Sequence, residues 1–169
     1  MPNEGKPPVE TLVTGCKLTR EELREALRGF LGKYGDELPE KAIEHAVSDE
    51  VLDNWIVYCD PKDPKVPIAG VHYENNDWYL CTLKNAAVRT EDRRKGIGGK
   101  MYGEVAKKAM ADRKCLVIAG DITYDNVAPI KLVERLGFKR VNRFCWGPGE
   151  KPADIIHFVK FPPEGTECK

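Results

Sequence analysis

Arg93-Arg94-Lys95-Gly96-Ile97-Gly98-Gly99-Lys100 is the stretch on which the fold turns. It follows Trp78 to Val88, a run with strand character, and precedes a segment in which Met101, Tyr102, Val105, Ala106, Ala109 and Met110 recur on one helical face. The order is strand, glycine-rich turn, helix. Glycines at 96, 98 and 99 let the backbone turn tightly and expose consecutive N–H groups, and the helix behind them adds the positive end of its dipole. With cations at 93, 94, 95 and 100, this is an anion site suited to a diphosphate or a phosphorylated nucleotide. The plainer alternative is a solvated basic turn that caps a helix. Two familiar phosphate loops do not fit. The Walker pattern needs Ser or Thr after its Lys, and Met101 follows Lys100; the GxGxxG pattern fails because Gly96-Ile97-Gly98 runs into Gly99-Lys100-Met101.

Downstream, the helix ends near Arg113, and Cys115-Leu116-Val117-Ile118-Ala119 is a short apolar run of the kind a strand buried on both faces shows. A second amphipathic helix is predicted over Ala128 to Leu136, with Gly137 at its C-cap. Lys139 to Trp146 and Ile155 to Phe161 then read as an antiparallel pair joined by Gly147-Pro148-Gly149-Glu150-Lys151-Pro152. Upstream, Trp55 to Cys59, Pro67 to Tyr73 and Trp78 to Val88 are strands separated by Asp60-Pro61-Lys62-Asp63-Pro64 and Glu74-Asn75-Asn76-Asp77, which are turn chemistry. Two helices open the chain. Thr19 and Glu22 have capping-box spacing, Leu23, Leu27, Phe30 and Leu31 share a face that Gly32 or Gly35 ends, and a second helix is predicted over Pro39 to Val47 with Pro39 near N1. Residues 1–17, with three prolines and no apolar period, read as a loose arm. The remainder, 18–169, reads as one domain of the mixed α/β class, in which strands 78–88 and 115–122 flank a helix and are therefore parallel neighbours.

The chain has 169 residues with 27 Lys+Arg and 27 Asp+Glu, a net charge of zero, which argues against a broad electrostatic grip on nucleic acid. No apolar run approaches the ~20 residues that span a bilayer, and the start lacks the apolar stretch of a signal peptide, so no membrane partner and a cytoplasmic location are expected. The six cysteines form no CxxC pair and have no His at ligand spacing. No metal is expected, and most of the thiols should be reduced, packing residues.

Arg93-x-x-Gly96-x-Gly98 resembles the acyl-CoA-binding motif of the GCN5-related N-acetyltransferase superfamily. The likeness extends outward: Asn85 to Asp92 looks like that family's fourth strand entering its pyrophosphate loop, and Asn126-x-Ala128 followed by Glu134-Arg135-Leu136-Gly137-Phe138 is similar to its second signature. The resemblance covers about residues 50–160. It implies a mixed, mostly antiparallel central sheet with a splayed parallel strand pair and helices on both faces. It further implies an N-acyltransferase that carries an acetyl group from acetyl-CoA to a primary amine of a small molecule or peptide.

The same resemblance implies backbone contacts to the diphosphate at Arg94, Lys95, Gly96, Ile97, Gly98 and Gly99, with Arg93 beside them. Ala86 and Val88 would bond the pantetheine arm, which is a strand-like grip on an amide-bearing ligand, and Asn126 would meet the same arm or cap the following helix. The likeness breaks at the chemistry. The Tyr that members place before the Glu of the second signature is Val133 here, and the strand Glu that protein-acetylating members use as base is Thr82, which could orient a water. By position, Tyr124, flanked by Asp121 and Asp125, is the substitute acid, and His72 or Glu74 the base. The acceptor should meet the 19–47 helices, the turn near 60–66 and the 147–153 loop, with Trp55, Tyr58, Trp78 and Trp146 as acceptor-side or packing aromatics. A nucleobase or aminoacyl-RNA acceptor, a non-catalytic acyl-CoA sensor and a homodimer stay open.

Overall fold

The computed structural model describes residues 12–35, 38–75, 80–112, 117–146 and 153–161. Helix α1, Arg20–Tyr34, begins where the capping box predicts: the Thr19 side chain accepts from the Glu22 N–H, and the Glu22 carboxylate accepts the Thr19 N–H at 2.9 Å. Leu23, Leu27, Phe30 and Leu31 form its buried face, and the Gly35 N–H closes the end on Leu31 O. Helix α2, Glu40–Ala46, starts one residue later than expected, with Pro39 as its N-cap, and buries Ile43 and Ala46. Strand β1, Leu12–Thr14, precedes α1 in the chain, and β2, Trp55–Asp60, β3, Asp63–Asn75, and β4, Leu80–Val88, follow α2. Then follow α3, Ile97–Asp112, β5, Val117–Thr123, α4, Val127–Arg135, β6, Lys139–Trp146, and β7, Ala153–Lys160.

The seven strands hydrogen-bond in the order β1-β2-β3-β4-β5-β7-β6. β4 and β5 are parallel, as are β1 and β2, while the β2/β3, β5/β7 and β6/β7 pairs are antiparallel. The β4/β5 ladder runs from Leu80↔Val117 to Leu83↔Gly120; beyond it β4 continues to Val88 and β5 to Thr123. This is the mixed sheet and short parallel pair expected. β7, the last strand, lies between β5 and β6, so the closing hairpin docks by its second arm.

The chain forms two compact units. The first holds the described residues through His72 together with Asn85–Ile97, and the second holds Tyr73–Lys84 and the residues from Gly98 onward. The first unit's core joins α1 and α2 to β2 through Leu27, Leu31, Ile43, Ala46, Val47, Leu52, Trp55 and Val57. Trp55 is fully buried, donates Nε1–H to Ala46 O at 2.7 Å and stacks on His72 with ring centroids 5.5 Å apart. Both residues are therefore packing groups, and neither Trp55 as an acceptor-side aromatic nor His72 as a base reaches solvent.

Two expectations are corrected in this unit. Leu12–Thr14, read as part of a loose arm, pair in parallel with Ile56–Tyr58. Three residues are too few to show a period, and their bonds are made by backbone, which leaves no side-chain pattern to read. Cys16 and Cys59, expected as thiols, are joined in a disulfide, with Cα atoms 5.0 Å apart. β1 brings Cys16 alongside β2, a proximity that sequence spacing does not disclose. Cys81, buried, and Cys145, exposed, take no part in a disulfide. Residues 1–11, the turn at 76–79, Trp78, Cys115, the 147–152 loop and Cys168 lie outside the described residues, as does the Trp146 side chain.

Candidate active site

The loop leaves β4 at Val88. The Arg89 N–H donates to Ile68 O at 2.8 Å, which ties the exit to β3, and one turn of 3-10 helix follows at Thr90–Asp92. Asp92 is buried, with 7% of its surface accessible, and holds the turn together. Its carboxylate accepts from Arg89 Nε on one oxygen and from Lys95 Nζ on the other at 2.9 Å, while Arg89 Nη2 reaches Asp60 Oδ2 at 2.9 Å. Lys95 and then Arg89 hold the Asp92 carboxyl below the usual carboxylate range. Asp60 is lowered likewise, by the Lys62 N–H first and Arg89 second. A fixed carboxylate thus clamps a loop of cations, and the clamp lies entirely within the first unit.

The loop's cations differ in their commitments. Arg93 turns back, its Nε donating to Val88 O at 3.0 Å, and Lys95 is held by Asp92. Arg94, exposed, bonds to no group among the described residues. It sits at φ 64°, a left-handed conformation that an L side chain adopts at a cost, whereas Gly96 at φ 77° adopts it freely. α3 begins at Ile97, so Ile97, Gly98, Gly99 and Lys100 carry the four N–H groups that a helix leaves without internal acceptors. A Cβ on Gly96 would meet nothing within 4 Å, which leaves that side of the loop open to a ligand. A Cβ on Gly98 would lie 2.9 Å from Leu132 Cδ2, so this glycine also lets α3 pack on α4. These groups fit a diphosphate: open amides, a helix start and uncommitted positive charge.

The remaining predicted residues fall on the strands and on the β5–α4 turn. Ala86 is exposed and Val88 half-buried, both past the last rung of the β4/β5 ladder. Asn126 is the N-cap residue of α4 and makes no side-chain cap bond, which sets aside the capping alternative. Thr82 pairs with Ala119 and is half-buried; Glu74, near the end of β3, has its carboxylate 3.9 Å from Lys84 Nζ. Tyr124 is 46% accessible and its N–H donates to Asp154 O at 2.8 Å. The Arg143 guanidinium lies 3.7 Å above the Tyr124 ring and is held by Asp154 through two bonds.

The sequence reading passed over two groups. Asp92 enters the sequence reading only as the end of the Asn85–Asp92 stretch; its signal is an acid enclosed by Arg89, Arg93, Arg94 and Lys95. His157 on β7 bonds Asp121 on β5, Nδ1 to Oδ1, at 2.6 Å. Thirty-six residues separate them, so no local signal exists; the pair is made by strand register. Among the described residues no group of three His, Cys, Asp or Glu could hold a metal ion, and no helix is long and apolar enough to cross a membrane.

A family model described as "Acetyltransferase (GNAT) family" matches residues 20–138. No curated protein matches the chain. Among solved structures, the ribosomal-protein-S18-alanine N-acetyltransferase from Escherichia coli is similar with a TM-score of 0.66 at 15% identity, over 84% of this chain and 91% of that one. Arabidopsis thaliana NAA60 in complex with acetyl-CoA gives a TM-score of 0.66 at 16% identity, over 83% and 93%. A putative acetyltransferase from Acinetobacter baylyi ADP1 gives 0.52 at 16% identity, and the match spans 62% of each chain, less than two thirds of that protein's length. At such identities the likeness is one of fold.

Proposed function

The chain belongs to the GNAT acetyltransferase family, and from that premise we propose that it transfers the acetyl group of acetyl-CoA to a primary amine of a small molecule or peptide. The observation that carries the reading is the turn at 93–99. Open amides at the start of α3 stand beside an uncommitted Arg94, on a loop that a buried Asp92 holds in place. In this reading Arg94, Lys95, Gly96, Ile97, Gly98 and Gly99 present backbone to the diphosphate and Arg93 lies beside them. Ala86, Val88 and Asn126 hold the pantetheine arm.

The chain's own groups then arrange the reaction. Holding thioester and amine together supplies several kcal/mol by itself, and backbone N–H groups polarise the carbonyl oxygen. Tyr124 is the proposed acid for the departing sulfur, with its ring fixed beneath Arg143. Thr82 orients a water, and Glu74 is the base that the sequence suggests. A cytoplasmic location belongs to the same proposal, and the Cys16–Cys59 disulfide weighs against it, since cytoplasmic thiols are usually kept reduced. The test is thiol release from acetyl-CoA over a panel of amines, peptides and RNAs. Release with an amine or peptide supports the reading. Release only with RNA redirects it to the nucleic-acid acceptor, and binding without release to any acceptor replaces the enzyme with a sensor.

A further inference from the structure

We propose that His157, oriented by Asp121, takes the proton from the acceptor amine; this rests on the acyltransferase reading above. Asp121 and His157 face each other on one rung of the β5/β7 ladder. Their bond places the Nδ1 proton against the carboxylate, which leaves the Nε2 lone pair on the far side of the ring. Among the described residues nothing bonds Nε2. A carboxylate that orients an imidazole and stabilises its cation is the arrangement of a general base.

The position supports the role. Asp121 is the residue after Gly120, the last rung of the β4/β5 ladder, and all these residues belong to the second unit. Alternation puts Ala119, Asp121 and Thr123 of β5 on one face with Val159, His157 and Ile155 of β7. On that face Ala119 and Val159 are buried, whereas the Asp121 and His157 side chains are 52% and 34% accessible and Thr123 is exposed. The opposite face stays closed at Phe158 and Ile156. The sheet therefore opens at the dyad, just where β4 and β5 cease to pair. Thr82, on the rung of Ala119, shares this face, and Lys84 alternates onto it with Glu74 as its ion-pair partner; Asn142 of β6 stands opposite His157. Tyr124, the proposed acid for the sulfur, stands under Arg143, which alternates to the other face with Ile156, so it does not compete with His157 for the amine proton. Glu74, within reach of Lys84, is the poorer base of the two.

The step balances as follows. His157 Nε2 removes one proton from the acceptor ammonium. The freed lone pair forms the C–N bond at the thioester carbonyl carbon, the C–S bond breaks, and its electron pair leaves on sulfur. The nitrogen's second proton passes to that sulfur, giving the amide and the thiol, and His157 releases its proton to water.

The experiment uses acetyl-CoA with a short peptide bearing a free α-amine and a lysine, alongside butylamine. His157→Ala should lower kcat about 10²–10⁴-fold with acetyl-CoA affinity within twofold of wild type. Millimolar imidazole should restore it at least tenfold while leaving wild type and Thr82→Ala unchanged. Asp121→Asn should lose turnover in the same sense. A His157→Ala enzyme with most of its kcat, or one that imidazole does not rescue while Glu74→Gln is dead, overturns the proposal. Independently of any acceptor, long-range ¹H–¹⁵N spectra should show the His157 proton on Nδ1 in wild type; a proton held on Nε2 also overturns it. Failure of acetyl-CoA to bind wild type would instead sink the acyltransferase reading.

Discussion

Removing the Cys16–Cys59 bond, by reductant or by a Cys16→Ser/Cys59→Ser double variant, tests the one covalent feature that the residue pattern left hidden. The bond closes a loop of 43 residues that contains α1 and α2. The chain-entropy relation for a loop of that length gives about 4 kcal/mol at 25 °C, with measured disulfides more often at about 2–4 kcal/mol. For a chain of this size each kcal/mol moves Tm by about 2–4 °C, so the loss should be about 4–16 °C. Cys59 is buried at 5% accessibility, and serine there also leaves a hydroxyl in an apolar setting, so the double variant should melt slightly below the reduced wild type. The assay is a calorimetric melt of oxidised wild type, reduced wild type and the double variant, with thiol titration of each. Coincidence of all three within about 2 °C, with both thiols titrating in the untreated protein, would refute the reasoning.

The loop makes its own predictions. Asp92→Asn should raise the KM for acetyl-CoA about tenfold and spare kcat, since it loosens Lys95 and Arg89 without touching the reacting atoms. Because the Asp92 carboxyl is depressed in the fold, its contribution is complete above the ordinary carboxylate pKa of about 3.9 and disappears as pH falls through the lower native value; stability measured from pH 6 to 9 should therefore show no loss from this group. Gly98→Val should weaken acetyl-CoA binding and also lower Tm through the contact with Leu132, and a second change, Leu132→Ala, should restore Tm more than binding. Arg94→Gly should relieve about 1 kcal/mol of left-handed strain and raise Tm slightly, while acetyl-CoA binds several-fold more weakly. Tyr124→Phe should lower kcat and leave the acetyl-CoA KM unchanged; equal turnover would remove Tyr124 as the acid.

Where the sequence could be read, it was read through local chemistry. The start of α1 follows from Thr19 and Glu22, its buried face from Leu23, Leu27, Phe30 and Leu31, and the exit of α4 from Gly137, which sits at φ 87°. The loop at 93–100 was legible for the same reason, because glycine spacing and charge are local. What was missed is non-local. β1 is three residues whose pairing depends on β2, the disulfide depends on β1, and the place of β7 between β5 and β6 depends on which hairpin arm meets β5. The His157–Asp121 contact follows from that last choice: docking by β6 instead would have placed neither residue on the other's rung. Trp55 illustrates the converse, since an aromatic followed by β-branched residues reads equally as surface or core until α2 supplies Ala46 O as a partner for its indole N–H.

The most direct test of the central claim is a calorimetric titration of acetyl-CoA into the wild-type protein, repeated on Gly98→Val/Leu132→Ala. The account predicts one site per chain for wild type and a loss of affinity of at least tenfold in the double variant with its fold retained. No heat of binding to wild type, or equal affinity in the two proteins, would contradict the assignment of the 93–100 loop.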